Sequence, residues 1–308
     1  NTPTSIDRFL TELLNSVHIE SLDEVLLAVE YTGIYVQHLT RCWLTRGGQL
    51  TMIHACKIPQ NLAGQSEFEE KTDDIDARRI AEYAFRFSDK LKLWQAKEQT
   101  IDTLQKFQRQ RERLIKAINL LEVPVNESKE FDDQTTAKAL MNNQQNSVKA
   151  LKADLKQLEK TIKELIEADP YLKQLFKLVT SVEGVGPVTA REIIIATNGF
   201  IKFLPQQAKA FAKYVGVIPN KKQSGKSVRK KNKIGKRQHK ELKKLLTQGA
   251  TSLIGKKSEL AVFYQRKKEQ GKHHLQVINA MRNKIILRVF AVVRNQVIYD
   301  KNLNLNLD

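Results

Sequence analysis

The sequence predicts an α/β N-terminal domain, followed by a helical arm and a mostly α-helical C-terminal domain. Strand and helix signals alternate over about the first 95 residues, and a long helical pattern of apolar residues fills the middle of the chain. Charge also divides the chain: residues 1–100 hold 11 Lys/Arg and 15 Asp/Glu, whereas all 308 residues together carry a net charge of +18. We therefore expect three parts with different tasks, at residues 1–95, 96–170 and 171–308.

Apolar runs and helical periodicity predict the elements of the first part in order. They are a helix over 2–14, a strand over 24–30, a helix over 31–44, a strand over 49–55, a helix over 78–87 and a third strand over 90–94. A strand–helix–strand order is typical of parallel strands, so we expect a sheet with parallel strands that is covered by helices.

Two long helices are predicted for the arm. The first covers 97–121 and should end where Pro124 interrupts its apolar pattern. In the second, apolar residues follow a spacing of three and four from Val148 to Leu165, which is typical of a coiled-coil seam. The pair would form an antiparallel hairpin or a dimerisation arm, and the alternative is an ordinary face of a helical bundle. Pro170 should close the arm, and the chain beyond it is helical and basic.

Composition excludes several classes of protein. The two cysteines, Cys42 and Cys56, are too few for a disulfide framework or a cysteine-based zinc site. The longest apolar run, 285–293, is interrupted by Arg288, which argues against a membrane span and leaves the cytoplasm as the expected location. The excess of positive charge indicates a polyanionic partner, either nucleic acid or an anionic membrane surface.

Acidic residues of the first part are candidates for a metal site. Glu30 ends the first strand, and Asp73 and Asp76 stand three apart at a helix start, which places both carboxylates on one helical face. The alternative for the two aspartates is capping, because acids in a first turn suit the helix dipole. If the three converge they need a cation, and hard oxygen ligands favour Mg²⁺ or Mn²⁺. Two such ions roughly 4 Å apart can activate a nucleophile and stabilise a leaving oxygen in phosphodiester chemistry.

Glycines and cations of the last part are candidates for contact with nucleic acid. Gly184 and Gly186 lie between two helical segments, which is the pattern of a helix-hairpin-helix whose backbone N–H groups approach phosphates; the alternative is a plain glycine turn. Residues 221–244 hold 12 Lys/Arg and one acid, and phosphate contact is favoured over a solvated helix face or a disordered tail. The candidate phosphate ligands there are Lys221, Lys222, Lys226, Arg229, Lys230, Lys231 and Lys233. Ser224 could be a nucleophile whose alkoxide these cations stabilise, although a serine in such a setting is more often a turn residue.

These segments, taken together, resemble a known family. Residues 29–35, around Glu30, resemble the strand-end glutamate motif of the DEDD transposases of bacterial insertion sequences, whose relatives include Piv-type DNA invertases and bridge-RNA-guided recombinases. Residues 71–77 resemble the paired-aspartate motif of that family. Residues 211–219 with 223–226 resemble the segment that bears its catalytic serine, and the hairpin at Gly184 and Gly186 resembles the start of its C-terminal domain.

The resemblance implies a fold, an activity and partners. The first part would be a RuvC-like, RNase-H-type domain, followed by a coiled-coil arm and a DNA-binding domain with a helix-hairpin-helix. Glu30, Asp73 and Asp76 would be catalytic ligands of Mg²⁺ or Mn²⁺, and Ser224 would form a covalent phosphoserine link. The activity would be transposition or site-specific recombination of donor and target double-stranded DNA, by a homodimer or tetramer associated with the bacterial nucleoid. A noncoding bridge RNA that pairs with both DNAs would be a further partner.

The chain departs from the family pattern at one point. That pattern opens with an aspartate in a first strand, ahead of the motif that matches Asn1-Thr2-Pro3, and Asp7 on the predicted first helix is a poor substitute. We expect the aspartate upstream of Asn1. Two alternative functions are a non-catalytic nucleic-acid-binding relative, and a nuclease of the Holliday-junction type that cuts with metal alone.

Overall fold

The computed structural model describes residues 2–17, 22–54, 58, 72–94, 98–218, 223–224, 228–229 and 238–300. The chain divides into two compact units, Asn1–Ala96 and Lys97–Asp308. Each unit has its own apolar core, and none of the described buried residues belongs to both cores. None of the helices in the described ranges combines the length and the apolar composition that a membrane crossing requires.

The first unit pairs two parallel strands and packs helices beside them. Its elements are α1 (Pro3–Val17), β1 (Leu26–Glu30), α2 (Gln37–Thr45), β2 (Gln49–Ile53) and α3 (Asp73–Arg86). The strands pair in a parallel register that runs from Leu26 opposite Gln49 to Glu30 opposite Ile53, as the strand–helix–strand order predicts. The expected third strand is reduced to a single antiparallel bridge between Leu93 and Thr51.

Trp43 of α2 organises the core of the first unit. Its side chain is fully buried, and its Nε1 donates to the carbonyl of Gln49 at 2.7 Å, so its one polar atom is satisfied. A Cβ atom at Gly48 would lie 2.4 Å from Trp43 Nε1, and only glycine fits where the chain turns into β2. The tryptophan therefore fixes the approach of α2 to the parallel pair.

The second unit begins with two long antiparallel helices, α4 (Gln99–Phe131) and α5 (Gln134–Ala168). The sequence prediction that the first of them ends near Pro124 is wrong, because α4 continues through this proline for another seven residues. Proline has no N–H, so one intrahelical hydrogen bond is missing from this turn. The carbonyl left without its helical donor is that of Leu120, and the side chain of Gln144 in α5 donates to the next carbonyl, that of Leu121, at 2.8 Å, so a contact from the neighbouring helix holds this turn.

The remainder of the second unit is a helical core with one small hairpin. Its elements are α6 (Pro170–Thr180), α7 (Pro187–Thr197), α8 (Ala208–Val215), β3 (Gln223–Ser224), β4 (Val228–Arg229), α9 (Lys240–Ser252), α10 (Glu259–Glu269) and α11 (His274–Asn295). Nearly all of α7 and most of α11 are buried, and α11 packs against α6, α8, α9 and α10. The fold is thus mostly helical with a small parallel sheet, and the finer RuvC-like, coiled-coil and helix-hairpin-helix assignments stay predictions.

Candidate catalytic and nucleic-acid-binding residues

Glu30 lies at the carboxyl end of β1. It is half-buried and stands opposite Ile53 of β2, and the next residue, Tyr31, donates its N–H to the carbonyl of Ile53 at 3.1 Å. This bond extends the ladder one step past the strand and holds the backbone of Glu30 in place. The carboxylate is therefore carried by a rigid element at the strand edge where ligands of α/β sheets bind.

Asp73 and Asp76 lie in the first turn of α3, which packs against β1. Thr72 caps this helix, and its side chain accepts from the N–H of Ile75 at 3.5 Å. The cap explains why α3 begins at Asp73, where the interpretation of the two aspartates places a helix start, and not at residue 78, where the apolar pattern begins. Asp73 is exposed, while Asp76 is half-buried and lies 3.6 Å from Arg79. The position at the N-terminus of α3 suits the helix dipole, as the capping interpretation requires. Both carboxylates lie at this N-terminal end of the helix.

The donor chemistry of these acids suits a hard divalent cation, because carboxylate oxygens are the ligands that Mg²⁺ and Mn²⁺ prefer. Glu30, Asp73 and Asp76 also lie on two elements that pack together. Within the ranges that the structure describes, however, no three acidic, histidine or cysteine side chains come close enough to hold an ion. The structure thus brings the two elements together without assembling the predicted three-residue cluster.

Ser224 lies in the short hairpin of the second unit. It pairs with Val228 across the antiparallel strands β3 and β4, and Gln223 pairs with Arg229. For Ser224 and Arg229 only the backbone position is described. The other predicted phosphate ligands of this stretch lie outside the described residues: Lys221, Lys222, Lys226, Lys230, Lys231 and Lys233.

Hydrogen bonds to the helical core hold both flanks of this stretch. On one side, Asn279 of α11 donates to the carbonyl of Val217 at 2.7 Å. On the other, the N–H of His239 donates to the carbonyl of Tyr214 at 3.3 Å, and the His239 ring caps α9 by accepting from the N–H of Leu242. The chain therefore leaves α8 and returns to α9 beside its point of departure.

Next to His239 lies a buried polar network that the sequence patterns do not predict. Glu192 of α7 is fully buried, with His239 Nε2 at 3.3 Å and Arg109 of α4 at 3.5 Å from its Oε1. Burial first, and the positive charge of Arg109 second, lower the pKa of His239 from its usual 6.5, so the ring is neutral at pH 7. The available signal was a charged pair, Arg191-Glu192, inside an otherwise apolar helical segment.

Gly184 and Gly186 have different surroundings in the turn between α6 and α7. Gly184 adopts a positive φ of 84°, and a Cβ there would lie 2.9 Å from Leu253 and 3.2 Å from the carbonyl of Gly249. This glycine is required for packing against α9. Gly186 caps α7 with open space around it and no side-chain cap, which leaves N–H groups at the helix start for another acceptor.

Two family profiles match the chain. The profile of the transposases of the IS116/IS110/IS902 family matches residues 176–265. A second transposase profile, for the DEDD domain of IS110 type, matches residues 1–122. Together they include Glu30, Asp73 and Asp76 in one match and Ser224 in the other.

Several curated proteins are similar to the chain. The pilin gene-inverting proteins of Moraxella bovis and Moraxella lacunata are each 26% identical to it over 283 residues, which is 90% of this chain and 83% of each relative. The uncharacterized 43.6 kDa protein of insertion element IS110 from Streptomyces coelicolor is 28% identical over 159 residues, which is 51% of this chain and 37% of that protein.

Proposed function

Because this chain belongs to the IS110-type DEDD transposases, which are DNA recombination enzymes, we propose that it cuts and rejoins DNA strands through a covalent link to Ser224. The observation that carries the proposal is the hairpin of β3 and β4, which places Ser224 in a short paired segment. Both flanks of this segment return to the buried core, through Val217 and His239. A nucleophile needs such positioning, because most of its advantage comes from a fixed approach to the reacting atom.

The chemistry that we propose is a substitution at phosphorus. The Ser224 Oγ forms a bond to a DNA phosphorus atom, the P–O bond to one strand end breaks, and the proton of the serine hydroxyl is passed through solvent to the departing oxygen, which becomes a free hydroxyl. Attack by the hydroxyl of another strand end on the phosphoserine releases the serine and joins the strands. Lysine and arginine side chains near the serine would stabilise the alkoxide and the phosphate charge; those proposed are Lys221, Lys222, Lys226, Arg229, Lys230, Lys231 and Lys233.

Enzymes with this nuclease-like domain typically use a divalent metal ion. We propose that Glu30, Asp73 and Asp76 hold Mg²⁺ or Mn²⁺, whose charge would neutralise the phosphodiester oxygens. Their own contribution is to present carboxylates from a strand end and from the first turn of the adjacent helix. The assignment is supported by the packing of α3 against β1 and by the residue types.

The partners and the domain plan are part of the same proposal. DNA is the substrate of the family, and we propose donor and target duplexes, a noncoding bridge RNA that pairs with both, and a homodimer or tetramer. Exposed apolar residues toward the connected ends of α4 and α5, such as Phe131 and Leu140, support self-association through the arm. We also propose that residues 1–95, 96–170 and 171–308 act as metal-binding domain, arm and DNA-binding domain.

Replacing the nucleophile tests the proposal. The Ser224→Ala protein should form no covalent adduct with labelled DNA on a denaturing gel, because no other atom replaces Oγ, and it should still bind duplex DNA. Ser252→Ala is the matched control, since the Ser252 hydroxyl donates only to the carbonyl of Gly249 in the same helix turn. Adduct that survives in the Ser224 variant would refute the assignment, and cleavage by the wild type without any adduct would favour the metal-only nuclease.

A further inference from the structure

Arg282 of α11 is a buried cation without an acidic partner in the described part of the chain. It is 8% exposed, and its Nη1 donates to Asn279 Oδ1 at 3.2 Å. The other two buried arginines are neutralised: Arg191 pairs with Glu159, and Arg288 pairs with Glu259. The Nε atom of Arg282 is buried without a hydrogen-bond partner. A buried charge in this condition is costly, which indicates that an anion belongs beside it.

A second cation lies close to the first. Burial lowers the pKa of Lys243 in α9, and the positive charge of Arg282 lowers it further. Burial also lowers the pKa of Arg282 itself. Lys243 donates to Gln238 Oε1 at 2.9 Å, and this amide offers no charge to offset the ammonium group. Two like charges held together disfavour each other, and a bound anion would stabilise both.

Lys243 also lines an open cavity of about 400 Å³ along one face of α9. Three lysines and three neutral polar residues surround it, and no acid is among them: Gln238, Lys240, Lys243, Lys244, Thr247 and Gln248. Cationic lining with hydroxyl and amide donors is the composition that binds phosphate groups. The cavity thus adds positive charge to that of Lys243 and leaves room for the anion that Arg282 and Lys243 lack.

The same side chains hold the flanks of the serine-bearing stretch. Asn279, which contacts Arg282, also donates to the carbonyl of Val217. Gln238, which accepts from Lys243, directly precedes the cap of α9. Anion binding at these cations would therefore act on both points where residues 219–237 join the core.

We propose that Arg282 and Lys243, with the lysines of the α9 cavity, form a binding site for one phosphodiester group of the DNA substrate. The site lies beside both ends of the stretch that contains Ser224, so a bound phosphate aligns a DNA strand with that stretch. The inference rests on the proposed function for the identity of the strand, and on the contacts above for the site.

Binding of a labelled DNA duplex to the full-length protein, measured by fluorescence anisotropy at several salt concentrations, tests the site. Each phosphate contact contributes about 0.9 to the slope of log affinity against log salt concentration. Arg282→Gln should lower the magnitude of this slope by about 0.9, which corresponds to one phosphate contact. It should also weaken affinity by about tenfold, the effect of one charge-assisted hydrogen bond. Arg282→Lys should restore the slope, because it restores the charge.

The controls separate binding from folding and from chemistry. Arg294→Gln, the same change elsewhere in α11, should leave the slope unchanged, and Lys243→Met should repeat the loss if Arg282→Gln fails to fold. Inorganic phosphate should raise the melting temperature of the wild type more than that of Lys243→Met. An unchanged slope for the DNA duplex in both Arg282→Gln and Lys243→Met overturns the inference. It is also overturned if the two variants lose affinity for a labelled RNA duplex but not for the DNA duplex. A wild type that forms no covalent adduct overturns the proposed function and leaves this binding result intact.

Discussion

Asp73, Asp74 and Asp76 share the first turn of α3, where every carboxylate interacts favourably with the helix dipole. Only Asp73 and Asp76 are proposed metal ligands, and Asp74 lies between them in the chain. The helix-capping role and the metal role therefore make different predictions for the same turn. Asp74 is the natural control, because its loss removes the same charge from the same helix end.

We expect Asp73→Asn and Asp76→Asn to abolish metal-dependent strand exchange, while Asp74→Asn retains it. Each change should lower the free energy of unfolding by only about 0.3–1 kcal/mol, the usual contribution of one charge to a helix dipole. Strand exchange with plasmid substrates and urea denaturation measure the two effects. Equal activity in all three variants would mean that the aspartates only stabilise α3.

His239 predicts a pH dependence of stability. Because its folded pKa lies below 6.5, the unfolded chain takes up a proton that the folded chain refuses, and the free energy of unfolding should fall as pH drops below about 6.5. The charged and titratable groups around it are Arg109, Glu112, Glu192, Lys202 and Tyr214.

His239→Asn isolates this effect. Asparagine keeps an oxygen that can accept from the N–H of Leu242, but it does not titrate. Urea midpoints at pH 7.5 and 5.5 should differ less in the variant than in the wild type, since the surrounding groups are the same in both. The same pH difference in both proteins would assign the titration to another group.

At the scale of elements, the turn between α6 and α7 depends on its contact with α9. A Cβ at Gly249 would lie 2.0 Å from the carbonyl oxygen of Gly184, so the two backbones touch without room for any side chain. Helix α9 carries the cationic cavity, and this contact fixes α9 against the turn that begins the buried α7. Gly184 and Gly249 therefore allow close packing of the turn against α9, whereas Gly186 leaves N–H groups at the start of α7 open.

Gly249→Ala should lower the free energy of unfolding by roughly 1–3 kcal/mol, because overpacking forces the backbone to shift. Gly186→Ala should cost much less, since nothing lies within 4 Å of a Cβ there. Denaturant midpoints compare the two. If Gly186→Ala also weakens DNA binding without loss of stability, a phosphate contact at the start of α7 is supported; a stability loss as large as that of Gly249→Ala would contradict the packing account.

Elements with a strong local signal could be predicted from the sequence, and those set by tertiary contacts could not. The periodic helices, the two parallel strands and the position of Glu30 at a strand end follow from apolar patterns. The continuation of α4 through Pro124 could not be predicted, because the support comes from Gln144 on another helix. For the same reason the surroundings of Glu192 and Arg282 could not be predicted from the sequence. These two side chains are buried because α4, α9 and α11 pack around them.

At the scale of the whole molecule, the two units differ both in their apolar cores and in the sign of their net charge. The acidic N-terminal region contains the proposed metal ligands, and the basic remainder contains the serine hairpin and the cationic cavity. Every described residue of the larger core lies within Lys97–Asp308. A unit with a core of its own can fold without the other.

We therefore expect a fragment of residues 97–308 to fold alone and to bind duplex DNA without exchanging strands. Circular dichroism should show a cooperative thermal transition, and anisotropy should show binding that weakens with salt. A fragment of residues 1–96, which is acidic, should not bind DNA under the same conditions. Failure of the larger fragment to fold would show that its core needs the first unit.

The hydrogen bond between the backbones of Tyr214 and His239 makes the stability of the core nearly independent of the number of residues between them. With the two ends fixed by the core, the entropy cost of closing the chain between them grows only with the logarithm of its length, by about 0.6 kcal/mol per doubling. Insertions and deletions between these residues can therefore accumulate during evolution at little cost in folding. The distance between the proposed nucleophile, Ser224, and the core can then differ between relatives while the helices on either side are preserved.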